Sequence, residues 1–102
     1  MVKIEITDVE WDSGNISKCQ KHGVSLEEIE KLLANPMTRI IADQKHADVE
    51  KRYIAVGIVG KRHIFVVFTF RECKGIIFLR PLSARYMHKK EIISYDKATS
   101  TI

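Results

Sequence analysis

The stretch Arg62-His63-Ile64-Phe65-Val66-Val67-Phe68-Thr69-Phe70 constrains this chain more than any other. Successive side chains of a strand point to opposite faces. Ile64, Val66, Phe68 and Phe70 then share one face, and His63, Phe65, Val67 and Thr69 the other. Both faces are almost wholly apolar. Such a strand must be covered on both sides and lie centrally in its sheet. A chain of 102 residues holds one core of this kind and not two, so residues 1–102 are read as a single domain.

Partners for that strand follow from the alternation of apolar and polar residues. Lys3-Ile4-Glu5-Ile6 reads as a short strand, as does Thr38-Arg39-Ile40-Ile41. Arg52 to Ile58 is longer and leads through Gly60-Lys61 into the central strand. A turn over Glu72 to Gly75 leads to a strand from Ile76 to Leu82, with Pro81 near its end, where proline is tolerated. Residues 43–51 read as a polar loop. The helical signals lie outside this block. Ser13 to Lys21 is one helix, stopped by Gly23. Ser25-Leu26-Glu27-Glu28 is a capping box that opens a second helix, with Leu26, Ile29, Leu32 and Leu33 on one face. Asn35-Pro36 ends it. Ser83 is read as the cap of a last helix running to about Tyr95, with residues 97–102 a frayed tail. The order β-α-α-β-β-β-β-α with short turns predicts an α+β fold: an antiparallel sheet with two N-terminal helices and one C-terminal helix.

Charge is distributed unevenly. Residues 1–50 carry 6 Lys and Arg against 10 Asp and Glu, a balance of −4. Residues 51–102 carry 11 against 3, a balance of +8. A polyanion such as RNA would be drawn to the second half; the alternative is a solubilising surface. No apolar run approaches the ~20 residues of a membrane span, and the N-terminus lacks a signal-peptide core. Cys19 and Cys73 have no CxxC spacing and read as reduced thiols of a cytoplasmic protein.

Chemistry concentrates between Leu79 and Tyr95. Placed on a helix from Ala84, the residues Ala84, Met87, His88, Glu91, Ile92 and Tyr95 share one face. Tyr86, Lys89, Lys90 and Ile93 take the opposite face. Three titratable groups, His88, Glu91 and Tyr95, thus come within reach of one another. Two readings stand. Either this face is one wall of a cleft with Arg80 as its neighbour, or Glu91 pairs with an arginine and anchors the helix. Arg80 sits on an otherwise apolar strand face and needs an anion, which Glu91 or a substrate phosphate would supply. Arg52, Lys89 and Lys90 are further cations for a nucleic-acid backbone. His22 is a helix C-terminal cation or a phosphate contact. Trp11 is core next to a helix cap, or a base-stacking surface. Cys19 and His22 stand i,i+3 but lack a second ligand pair, so no metal is expected. No glycine-rich phosphate loop or nucleophile elbow occurs, and no cofactor is expected.

Three segments together resemble the BrnT family of toxins from bacterial type II toxin–antitoxin modules. They are Trp11-Asp12-Ser13-Gly14-Asn15-Ile16, then Lys21-His22-Gly23-Val24-Ser25, then Arg80-Pro81-Leu82-Ser83-Ala84-Arg85 with Lys89-Lys90-Glu91 and Tyr95. The resemblance implies a RelE/ParE-like fold and an endoribonuclease that inhibits translation. It also implies a ribbon-helix-helix antitoxin, BrnA, held in a heterotetramer that reaches operator DNA only through the antitoxin. Combined with the residues above, the expected mechanism is metal-independent RNA cleavage. His88 or Glu91 is the base, Tyr95 assists, and Arg80 and Arg85 stabilise the phosphorane. The alternative is a non-catalytic basic module that binds an acidic protein or nucleic acid.

Overall fold

Local signals place the first two helices. In the computed structural model, which describes residues 6–43 and 51–100, Asp12 caps α1 (Ser13–Gln20) by accepting from the Gly14 and Asn15 amides at 2.9 and 3.1 Å. Asn15 closes the capping box by accepting from the Asp12 amide at 2.7 Å. Ser25 and Glu28 form the second box, at the start of α2 (Leu26–Ala34). Each such cap stabilises its helix by about 1 kcal/mol. Between the helices Gly23 adopts φ +88°, the left-handed conformation that a side chain disfavours. The helix boundaries therefore fall where the sequence places them, with Lys21 at the C-cap of α1.

The strands are β1 (Ile6–Val9), β2 (Arg39–Asp43), β3 (Arg52–Val59), β4 (Arg62–Cys73) and β5 (Ile76–Tyr86). They form one sheet in the order β1-β5-β4-β3-β2, so β4 is central as expected. Pairings from β2 through β5 are antiparallel; β1 joins β5 in parallel. The element order agrees with the sequence reading, and the fold is α+β. Of the expected first strand, Lys3 to Glu5 lie outside the described residues, as do residues 44–50 of the expected loop.

Paired residues point to the same side of the sheet, so the register defines two faces. One carries Ala55, Ile64, Val66, Phe68, Leu79 and Ala84, all buried with Ile29 and Leu32 of α2 and Cys19 of α1. Burying each large side chain contributes about 1.5–3 kcal/mol. Trp11 packs against this core, and its indole N–H donates to Glu30 of α2 at 2.8 Å. The other face carries Ile54, Val56, Phe65, Val67 and Thr69, all half-buried. This face is covered only in part.

One boundary is corrected. Ser83, Ala84, Arg85 and Tyr86 are the end of β5, paired with Val67, Val66, Phe65 and Ile64. The last helix, α3, is Lys89–Ser100. Ala84 and Arg85 favour helices intrinsically, but pairing with the most apolar strand of the chain overrides propensity. The helical face that would group Ala84 with His88 and Tyr95 therefore does not exist. Of the expected frayed tail, Lys97 to Ser100 are helical, and residues 101 and 102 lie outside the described residues.

Candidate nucleic-acid interface

Arg80 and Arg85 are five apart, and in a regular strand they would face opposite ways. A bulge changes this. Phe68 pairs with Pro81 and Val67 with Ser83, so Leu82 is the extra residue. Arg80 then lies opposite Thr69 and Arg85 opposite Phe65, on one sheet face. Register adds Arg39, opposite Val56, and Arg52, two residues before Ile54, to that same face. Four arginines from three strands thus share the face opposite the one that α2 packs on.

Arg80 is held from the β1–α1 link. Its Nη1 donates to Glu10 Oε1 at 2.8 Å and to Asp12 Oδ2 at 2.7 Å, and Arg71 reaches the same Glu10 oxygen at 3.2 Å. The Arg80 hydrogen bond, aided by the Asn15 amide, lowers the Asp12 carboxyl to about 2. Asn15, 2% exposed, donates to the carbonyls of Glu10 and Pro81 at 2.8 and 3.0 Å. It locks the helix start onto β5 beside the bulge. The expected pairing of Arg80 with Glu91 is therefore wrong: its anions come from Glu10 and Asp12. Arg80 also lines a cleft of about 360 Å³ with Lys18, Arg52, Ser83, Leu82 and Asp43.

Glu91 belongs to Arg85. The pair is bidentate, Nη1 to Oε1 at 2.7 Å and Nη2 to Oε2 at 2.9 Å, and the guanidinium lies 4.2 Å from the Phe65 ring centre. Glu91 also accepts from the His88 amide at 2.8 Å, so His88 occupies the capping position of α3. Arg85 first, and then that amide, lower the Glu91 carboxyl to about 2. The imidazole of His88 is exposed beside this pair, as are Lys89 and Lys90. Lys90, Glu91 and Tyr95 roof an apolar hollow of about 410 Å³ over Arg39, Ile41, Val56 and Phe65.

Tyr95 does not meet His88. Its ring stands edge-on to that of His63, with centroids 5.5 Å apart, and His63 Nε2 is 2.8 Å from Asp96 Oδ1. His63 is the residue that sequence reasoning missed as a site neighbour. The available signal was its place on the same strand face as Phe65. Trp11 is committed to the helical layer and His22 is exposed in the turn after α1; neither lines the cleft. The Tyr86 hydroxyl, which accepts from Arg62 at 2.7 Å, donates to Glu28 at 3.0 Å and lies 3.4 Å from the Gly23 carbonyl, so it ties the end of β5 to the start of α2. Cys19 is buried, which pushes its thiol up to about 11. Among the described residues no three His, Cys, Asp or Glu side chains converge as metal ligands, and no helix is long and apolar enough to cross a membrane.

Fold and site together define a class: a small α+β domain with one sheet face lined by arginines, two of which carboxylates hold in place. A family model described as "Ribonuclease toxin, BrnT, of type II toxin-antitoxin system" matches residues 11–91. The chain belongs to that family of ribonuclease toxins. No curated protein matches it. The matched span opens at Trp11 and closes at Glu91, so it contains both the Asp12–Arg80 joint and the Arg85–Glu91 pair and leaves Tyr95 outside.

Proposed function

We propose that the arginine face binds RNA and cleaves it without a metal, that cleavage inhibits translation, and that a ribbon-helix-helix antitoxin of the BrnA kind neutralises the protein in a heterotetramer. The observation that carries the reading is the Leu82 bulge, which turns Arg80 and Arg85 toward one side. Planar guanidinium groups match phosphate oxygens, and charges already held in place need no reorganisation as the phosphorane forms.

In this mechanism a base takes the 2′-hydroxyl proton. The 2′-oxygen bonds to the adjacent phosphorus, the bond to the 5′-oxygen breaks, and an acid protonates the leaving oxygen. His88 is the base. A carboxyl at about 2 is too weak a base at neutral pH, so Glu91 is a positioning residue for Arg85. Tyr95 is the phenol that supplies the leaving-group proton. Arg80 and Arg85 stabilise the transition state, while Arg52, Lys89 and Lys90 hold the backbone.

The test is cleavage of single-stranded RNA in EDTA. Arg80→Ala and Arg85→Ala are expected to lose about 10²-fold or more in rate, as for other groups that stabilise developing charge. His88→Ala is expected to lose about 10²-fold with its pH dependence flattened. Intact RNA with all variants equal to wild type would sink the reading.

A second reading draws on the same ion pairs. Arginines neutralised by Glu10, Asp12 and Glu91 also suit a scaffold that presents Lys89 and Lys90 to an acidic partner. In that case charge reversal at both lysines abolishes partner binding and no RNA product forms.

A further inference from the structure

Strand β2 ends the sheet. It pairs with β3 alone, in a register without a bulge, and among the described residues nothing pairs with its outer edge. Natural edges are usually blunted by proline, a bulge or charges along the strand. Arg39-Ile40-Ile41-Ala42-Asp43 has neither proline nor bulge, and its charges stand only at its two ends. Ile40 and Ile41 are 53% and 56% exposed. They point to opposite faces, each beside an apolar hollow. Ile40 borders one with Leu33, Phe70 and Leu79, and Ile41 borders the other with Val56 and Phe65. An added strand would extend the apolar surface on both sides of the sheet at once.

We propose that this edge pairs with β2 of a second copy of the chain, antiparallel about Ile41. The five residues are self-complementary in charge. With Ile41 opposite Ile41 on the two-fold axis, Arg39 of each copy meets Asp43 of the other, and Ile40 meets Ala42. Opposite charges directly across a strand pair are favourable and like charges are not. A parallel in-register pairing would set arginine beside arginine and aspartate beside aspartate, so charge selects the antiparallel form. That form is also the one that closes, because a two-fold interface presents the same patch from both partners. The two sheets would join into one, with both arginine faces on the same side.

Sedimentation equilibrium of the full chain from about 1 μM to about 1 mM tests this. Wild type is expected to dimerise within the range. Arg39→Asp and Asp43→Arg, each alone, are expected to weaken association by about tenfold or more, since two opposite-charge pairs become like-charge pairs. An equimolar mixture of the two variants is expected to restore it, because each introduced charge then faces its opposite. Ile41→Lys, at an exposed position, is expected to abolish dimers and carries the test if either charge variant fails to fold by circular dichroism. A wild type that stays monomeric throughout overturns the proposal. So does a dimer that survives all three substitutions, or a mixture that fails to recover. Edge amides protected from exchange only after antitoxin is added would assign the edge to the antitoxin and overturn it equally.

Discussion

Glu91 shows how one residue's environment decides between two chemistries. Its position three residues after a histidine suits a proton-transfer pair as readily as a helix cap. The structure resolves the geometry: the side chain accepts from Arg85 twice and from the His88 amide. Both interactions favour the ionised form, which is why the carboxyl falls from 4.5 to about 2. The consequence for stability has a definite sign. A group with a depressed folded-state pKa contributes stability above its unfolded value and loses it as pH falls through the folded one. Glu91→Gln should therefore lower Tm at pH 7, and the gap to wild type should close between about pH 4.5 and about pH 2. The pair is partly exposed, so solvent screening keeps the gap modest. Thermal melts across that range check it. A gap that persists unchanged at pH 2 would show that the variant acts through something other than the ion pair.

At the scale of elements, α2 and β3 meet where no side chain intervenes. A Cβ built on Gly57 would lie 2.8 Å from Leu32 Cδ1 and 3.2 Å from Thr38 Oγ1. Leu32 is fully buried, so its tip would have to shift within a close-packed core. Gly57→Ala should overpack this contact and cost about 1–3 kcal/mol. In a domain of this size that lowers Tm by roughly 4–8 °C per kcal/mol, measurable by calorimetry. A neutral result would mean that the helix shifts freely on the sheet. The same element pair explains what the sequence made legible. Ser25-Leu26-Glu27-Glu28 and Gly23 act within a few residues of themselves, so their helix boundary could be read directly. The alternation of Ile64 to Phe70 likewise made a central strand legible. Residues Ser83 to Tyr86 could not be read so, because their state depends on a partner some twenty residues away. The Leu82 bulge has no local mark, and with it goes the face on which Arg85 stands. The pairing of Arg80 with Asp12 spans 68 residues. Nothing in the spacing distinguishes it from a pairing with Glu91, eleven residues on.

At the scale of the whole molecule, the −4 and +8 halves acquire a geometry. Acidic residues of the first half supply the joint that holds Arg80 and the first turn of α2. Arg52, Arg80 and Arg85 of the second half stand on the sheet face opposite the one α2 packs on, with Glu10 and Asp12 against Arg80, and Lys89 and Lys90 stand at the start of α3. Cations of the second half thus gather on one side of the sheet, where the proposed function places the RNA. Binding to such a side releases counterions, so affinity falls with salt, by about 0.7 in log–log slope for each phosphate of a single strand that is neutralised. Lys89 and Lys90 are exposed, and among the described residues no ion pair holds either of them. Replacing both by alanine should flatten the slope by about 1.4 and weaken binding to unrelated RNA sequences by a similar factor. Fluorescence anisotropy with labelled single-stranded RNA, at several salt concentrations and with a variant blocked for cleavage, measures that slope. A slope equal to that of wild type would place the two lysines off the RNA path and leave the arginine face as its whole electrostatic footprint.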